Sequence, residues 1–388
     1  MNKQQFKAEL HMTLHLWVKK ITYLVGIFIV FSYQSLVLAH TTVNTQAIAK
    51  AINGTDATLY DSQLIPWQAA LKQKGFDGIS CGAVVISEYW LLTAAHCNSS
   101  DIGDIAIVGT SLIEDGNFTN LDRKHFFKIV QKISHPYYNE DNFINDIALF
   151  RVNRSMYDVA QPIKLATSNE QIMADITFSN SWVTNMDSPV TAIASGWGDT
   201  LRKGYPTELQ VISLAGVPDS QCVGLNIGNE HIVCADSNIN GLIKDVCSGD
   251  SGGPLIWQNH QAVSDSDKGI RLIGLTSNGA KCESRNDNPE NQYNQLTGQY
   301  TQVSTHRDWI EQQIQYYDNS TFTLNDSSLQ PTLNIDPFAV IKDATSNREN
   351  TKIVVTAAAE QTESGGTITF YSLLLTLLIL YYRRNQLS

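Results

Sequence analysis

The sequence predicts an all-β body that ends in one helix. Short runs rich in Val, Ile and Leu recur between Gly, Asn and Asp turns: Ser80–Ile86, Ile105–Gly109, Phe127–Ile133, Ile147–Val152, Leu209–Leu214 and Ile270–Thr276. That spacing is expected of antiparallel barrels. The one clear helical pattern is late, where Ser304 or Thr305 can cap a segment carrying Trp309, Ile310 and Ile314 on one side. With 388 residues, 43% hydrophobic and 17% charged, the chain has ample apolar surface for a core. That length holds more than one simple domain but not several large ones. No internal repeat is visible.

At the N-terminus, Lys19 and Lys20 precede an apolar run from Ile21 to Ala39, whose Val37-Leu38-Ala39 end resembles a signal-peptidase site. Residues 1–39 are read as a signal peptide cut after Ala39 by signal peptidase. The long leading stretch leaves Met12 as an alternative start. The Ser- and Gln-containing end of the run argues against an uncleaved anchor. Residues 40–50 form a short polar segment.

After Tyr317 the composition changes. Residues 318–363 are rich in Asn, Ser, Thr and Asp. They read as a polar spacer with a strand at Lys352–Thr356; a small folded module is the rival reading. Residues 364–388 then run from Ser364-Gly365-Gly366 into the apolar segment Thr367–Tyr382, followed by Arg383-Arg384. As a hydrophobic helix this segment spans about 24 Å, short for a permanent membrane crossing. The basic pair fits a cytoplasmic stop.

Net charge is −11, from 27 basic and 38 acidic residues. A nucleic-acid partner would ask for a basic face, so that class is excluded. Metal binding by the six cysteines is disfavoured, because no pair has the close spacing of zinc sites. No cofactor is expected.

The chemistry is concentrated in Asp245-Val246-Cys247-Ser248-Gly249-Asp250-Ser251-Gly252-Gly253-Pro254-Leu255. A serine hydroxyl is a poor nucleophile at neutral pH and needs a base within reach, itself oriented by a third group. Thr93-Ala94-Ala95-His96-Cys97 offers the base, and Asn145-Asp146-Ile147-Ala148-Leu149 offers an acid. Singly each has an ordinary reading: a flexible turn, a structural histidine, a strand-edge charge. Together, in this order and context, they make a catalytic set.

With these motifs in view the chain resembles a trypsin-like (chymotrypsin-family) serine protease, the match running from about Ala51 to Tyr317 as one domain, residues 51–317. The resemblance implies two six-stranded antiparallel β-barrels and a C-terminal helix, with the site between the barrels. His96 and Asp146 would come from the first barrel and Ser251 from the second. It implies Ser251 as nucleophile, His96 as general base and acid, and Asp146 as the group that fixes the imidazole. The backbone N–H groups of Gly249 and Ser251 would form the oxyanion hole.

In this family Asp245 would lie at the base of the primary specificity pocket, with Ser277, Gly279 and Gly298 as its walls. A carboxylate there calls for a cationic side chain, so the expected substrates are proteins or peptides cut after Arg or Lys. Asn278 stands where a tryptophan is usual, and Val246 replaces a small polar residue that helps bind Lys. Arg, with its own fork of donors, should suffer less from that loss.

Six cysteines behind an export signal imply an oxidising compartment and a disulfide framework. The sequence alone allows fifteen pairings; the resemblance selects Cys81–Cys97, Cys222–Cys234 and Cys247–Cys282. The family's zymogen site aligns with Lys50-Ala51-Ile52-Asn53-Gly54. Residues 40–50 are then an activation propeptide, and cleavage after Lys50 would free the Ala51 amine to insert beside Asp250. Ala51 replaces the usual Ile and should weaken insertion by about 2 kcal/mol. The tail resembles the GlyGly-CTERM sorting signal of Gram-negative bacteria. That implies processing by a rhombosortase, delivery through type II secretion, and a secreted or cell-surface enzyme with a transient or permanent C-terminal anchor. An ordinary single-pass anchor is the alternative for the tail. For the whole chain, the alternatives are a catalytically silent binding module on the same fold and an adhesive surface protein.

Overall fold

The computed structural model describes residues 55–56, 63–75, 78–99, 102–114, 118–199, 206–224, 229–280, 296–325 and 331–341. The expected signal segment, the Lys50–Ala51 bond, Cys282 and the terminal apolar segment lie outside them. Among the described residues, no helix is long and apolar enough to cross a membrane.

A two-residue strand β1 (Thr55–Asp56) precedes two antiparallel barrels. The first is built from β2 (Gln68–Gln73), β3 (Ile79–Val85), β4 (Trp90–Thr93), β5 (Ile102–Val108), β6 (Phe126–Ser134) and β7 (Ala148–Val152). They close in the order β2-β3-β4-β7-β6-β5. The second comprises β8 (Ala192–Gly196), β9 (Gln210–Val217), β10 (Ile232–Ser237), β11 (Pro254–Gln258), β12 (Ile270–Asn278) and β13 (Gly298–Gln302). Its order is β9-β10-β13-β12-β11-β8, and β8 pairs back with β9. β1 adds to β9 through Thr55–Val211 and Asp56–Gln210. The six apolar runs named above fall on β3, β5, β6, β7, β9 and β12.

β6 shows the two-residue period of a barrel wall: Phe127 and Ile129 are buried, Lys128 and Val130 exposed. β9 and β12 are buried along nearly their whole length because neighbouring elements cover both faces. Trp67, Trp90, Phe127 and Phe150 fill the first core, and Phe178, Trp257, Ile273 and Tyr300 the second. The barrels meet back to back at glycine. A Cβ on Gly82 would lie 2.9 Å from Gly253 Cα, and one on Gly252 would lie 2.1 Å from Thr93 Oγ1. Side chains at these positions would drive the barrels apart.

Among the described residues, a helix that the sequence reading does not predict precedes the terminal one. Helix α1 (Ser168–Ser181) follows a capping box: Thr167 Oγ1 accepts from Glu170 N–H, and the Glu170 carboxylate accepts from Thr167 N–H. Its inner face carries Ala174 and Phe178, the latter against Gly216, while Ile172 and Ile176 stand exposed. Apolar residues on both faces blur the stripe that marks a helix. A buried charge cluster fastens its start: Arg271 Nε to Glu170 at 2.5 Å, Arg271 to Asp267 at 3.0 Å and Lys164 to Asp267 at 2.7 Å.

The terminal helix is α2 (Arg307–Asp318), with Ile310 and Ile314 buried. Its cap corrects the expectation. His306 occupies the N-cap without a side-chain cap bond, and Ser304 and Thr305 lie in the preceding single turn of 3₁₀ helix. The helix ends against the first barrel, where Asp318 accepts from Trp90 Nε1 and Arg151 Nε, both at 2.7 Å.

The stretch beyond Asp318, read as the start of a polar spacer, packs as a strap in its described part. Leu324, Leu333, Phe338 and Ile341 are buried in the first core. Asn325 clasps Leu165, in the segment joining the barrels, by accepting from its N–H (3.1 Å) and donating to its carbonyl (2.8 Å). Further on, Leu333 N–H donates to Ser266, Thr332 N–H to Gln161, and Gln258 to Asp336.

Candidate active site

β4 ends at Thr93, and the chain enters a 3₁₀ turn, Ala95–Cys97, that presents His96. The Cys81–Cys97 disulfide ties this turn back to β3, with a Cα separation of 6.2 Å. Asp146 is fully buried just before β7. Its Oδ1 accepts from His96 N–H at 2.9 Å, and its Oδ2 lies 2.8 Å from His96 Nδ1. A carboxylate only accepts, so the ring proton sits on Nδ1 and Nε2 is the accepting nitrogen.

The second barrel grips the same acid. Ser277, at the end of β12, donates its hydroxyl to Asp146 Oδ2 at 2.6 Å, and Thr301 on β13 donates to the Asp146 carbonyl at 2.9 Å. Ser277, which the sequence reading puts in a pocket wall, turns its hydroxyl to the acid. Asn278 Nδ2 extends the chain, 3.3 Å from Ser277 Oγ.

Ser251 is half-buried on the turn leading into β11. Its carbonyl accepts from Gly82 N–H at 2.7 Å and lies 3.5 Å from Cys97 Sγ, beside the residue that follows His96. Gly252 N–H donates to the Thr276 carbonyl at 2.7 Å, next to Ser277. The turn carrying Ser251 is thereby fastened to both strands that hold His96 and Asp146 in place. Gly249, two residues earlier, has φ of 101°, which a side chain rarely tolerates.

Asp245 is buried, with its Oδ1 accepting from Val246 N–H at 2.8 Å. A Cβ on Gly298 would stand 3.0 Å from that oxygen, and one on Gly279 would stand 3.5 Å from Gly298 Cα. Asp245, Gly279 and Gly298 therefore line one locality, and glycine keeps its approach open. Lys244 is buried too, its amine donating to Ser213 Oγ at 2.8 Å and Asn238 Oδ1 at 2.6 Å. The solvated loop acid that Asp245 could have been is not what is found.

Asp250 is fully buried. Its Oδ1 accepts from Gly198 N–H at 2.7 Å and its Oδ2 from Cys247 N–H at 2.8 Å. Burial pushes its pKa up to about 6; the two backbone donors oppose the rise, and the charge of Asp199 adds to it. No cation among the described residues pairs with it.

Cys222–Cys234 is formed, and Cys247 is disulfide-bonded. Cys81, His96 and Cys97 crowd together, but both sulfurs are spent on a disulfide and offer no thiolate to a metal. Phe143, which no sequence pattern flags, sets its ring edge-on to His96 at 5.7 Å.

Residues 51–310 match the family model described as Trypsin. Kallikrein-1 of Mus musculus is 30% identical over 266 residues, 64% of this chain and 84% of that protein. Trypsin delta of Drosophila melanogaster is 29% identical over 271 residues, 67% and 87% of the two. Collagenase of Hypoderma lineatum is 31% identical over 273 residues, 68% and 86%.

Proposed function

The chain belongs to the trypsin family of serine proteases, and from that premise we propose a secreted endopeptidase, made as a zymogen, that cuts after Arg or Lys. Serine endopeptidase activity comes with the family. The triad reading rests above all on one observation: a buried carboxylate, Asp146, held by His96 on one side and Ser277 on the other, beside the turn bearing Ser251.

In this reading His96 Nε2 takes the Ser251 proton as Oγ attacks the scissile carbonyl, then returns it to the leaving amine. Asp146 keeps the imidazole in the Nδ1–H tautomer and balances the charge of the imidazolium. Gly249 and Ser251 N–H groups receive the oxyanion, a contribution of roughly 100- to 1000-fold per donor. Asp245 receives the substrate's guanidinium or ammonium between Gly279 and Gly298. The buried Val246 adds no hydroxyl for a lysine amine, so Arg is the better substrate.

Asp250 supports the zymogen reading. A carboxylate buried this deeply on two backbone donors has no counter-ion among the described residues, and cleavage at Lys50–Ala51 would supply one as a new α-ammonium. Because an α-amino group titrates near pH 7.7–8.0 before pairing, activity should fall on the alkaline side as that proton is lost. Domain limits at 51–317, the signal cut after Ala39 and sorting by way of Gly365-Gly366 belong to the same proposal. Mass spectrometry of the protein released by its native host tests them together with Arg, Lys, Phe and Ala peptide reporters, with and without Ser251→Ala. The proposal expects a start at Ala51, an end near Gly365 and Ser251-dependent cleavage after Arg or Lys. An intact Lys50–Ala51 bond in an active enzyme, or turnover only after Phe, refutes activation or specificity respectively.

A further inference from the structure

Strand β12 ends in a bulge. From Thr276 to Asn278 it takes two steps while β13 takes one, from Tyr300 to Gln299. Successive side chains of a regular strand point to opposite faces, and a bulge re-aims them. Here it lets Asn278 reach its own neighbour, with Nδ2 3.3 Å from Ser277 Oγ. Thr276, one residue earlier, is pinned to the turn bearing Ser251: its N–H donates to the Gly253 carbonyl at 2.9 Å, and its carbonyl accepts from Gly252 N–H at 2.7 Å. The backbone leading into Ser277 is therefore fixed, and the direction of the hydroxyl is left to its side-chain partners.

Donors and acceptors match at every step of this chain. The Asp146 carboxylate only accepts, so the single hydrogen of the Ser277 hydroxyl lies in the 2.6 Å contact with Oδ2. Ser277 Oγ then has only lone pairs to offer Asn278, and the group that faces it is the donor, Nδ2–H. A flipped amide would set oxygen against oxygen with no hydrogen between them. Ser277 is buried and Asn278 half-buried. In such surroundings a bond received by a hydroxyl strengthens the bond it gives.

We propose that Asn278 is a positioning residue for catalysis: its amide holds the Ser277 hydroxyl on Asp146 and thereby keeps that carboxylate against His96. The proposal rests on His96, Asp146 and Ser251 acting as a triad. It differs from packing in that it requires a donor at this position, whatever the volume. It differs from a substrate contact in that it acts through Ser277.

The test compares Asn278→Leu, which keeps the volume and loses the donor, with Asn278→Ala, which loses both. Each is made in the wild type and in Ser277→Ala, and the enzyme released by the native host is assayed. On the peptide amide that the wild type cleaves fastest, both variants should lose about threefold in kcat, the worth of a weak neutral hydrogen bond, with KM unchanged. In the Ser277→Ala background neither should lose anything further, because the oxygen they act on is gone. Either variant alone completes this comparison should the other fail to fold. Wild-type kcat in the Leu variant assigns the side chain to packing, and a change confined to KM assigns it to the substrate. Equal losses in the two backgrounds show an effect that bypasses Ser277. Each of these results overturns the proposal. Turnover that survives Ser251→Ala sinks the triad reading and this proposal with it, whereas Ser251-dependent turnover with equal losses in both backgrounds sinks the proposal alone.

Discussion

Replacing Asp250 with Asn in the uncleaved chain removes a charge that the fold has buried without a cation among the described residues. Burial raises the carboxyl pKa from the ordinary 3.8 to about 6 in the folded chain. Between those values the folded state keeps a proton that the unfolded state releases, so stability falls as pH rises from about 4 to 6. At about 1.4 kcal/mol per pH unit, the full cost above pH 6 is about 3 kcal/mol. Asparagine has a single accepting oxygen for the N–H groups of Gly198 and Cys247, which costs about 1–3 kcal/mol at every pH. That constant drops out of the comparison. Urea unfolding from pH 3.5 to 7 of a Lys50→Gln, Ser251→Ala chain, with and without Asp250→Asn, reads the difference directly. Relative to its parent, the Asn variant should gain about 3 kcal/mol across the interval. In the cleaved form the sign should reverse: pairing with an Ala51 ammonium would lower the carboxyl pKa, and the Asn variant should lose ground as pH rises. A difference that is flat between pH 4 and 6, or one of the same sign in both forms, refutes the account of Asp250 as the waiting partner of the new terminus.

Asp245→Ser should cut kcat/KM on Arg and Lys reporters by roughly 1000-fold, the cost of leaving a buried cation unpaired, with little change on Phe; an equal loss on all reporters contradicts the pocket. Ser277→Ala removes one of three donors on the Asp146 carboxylate, and kcat should drop by at least roughly tenfold with KM unchanged; unaltered kcat would assign that hydroxyl to packing alone. Phe338→Ala in the strap should cost about 3–5 kcal/mol in urea unfolding, although the residue lies in no part of the site; a loss below about 1 kcal/mol would mean that the strap adds little to the core.

The barrels were readable because each strand signals itself locally, through β-branched runs and turn residues. The His96, Asp146 and Ser251 motifs were readable because their chemistry demands fixed neighbours. What escaped was decided at long range. The Ser277 hydroxyl finds Asp146 across 131 residues, and nothing beside it in the chain announces that partner. Helix α1 carries its start signal in Thr167 and Glu170, but Ile172 and Ile176 on the outer face hide the one-sided stripe. The strap looked like a spacer because its apolar residues are few and irregularly placed. Its Asn and Asp side chains bond to the body, so a polar composition accompanies a packed segment.

The strap also has a consequence in time. Asp318 meets Arg151 and Trp90, made 167 and 228 residues earlier, and Leu333 closes on Ser266 only after almost the whole described chain exists. Contacts of such sequence separation form late, because the entropy of closing the intervening loop is spent before they return anything. Both barrels can be synthesised in full while Leu165, in the joint between them, still lacks its Asn325 clasp. The site gathers groups from both sides of that joint, so a stretch synthesised after both barrels governs when an emerging protease body becomes a finished one.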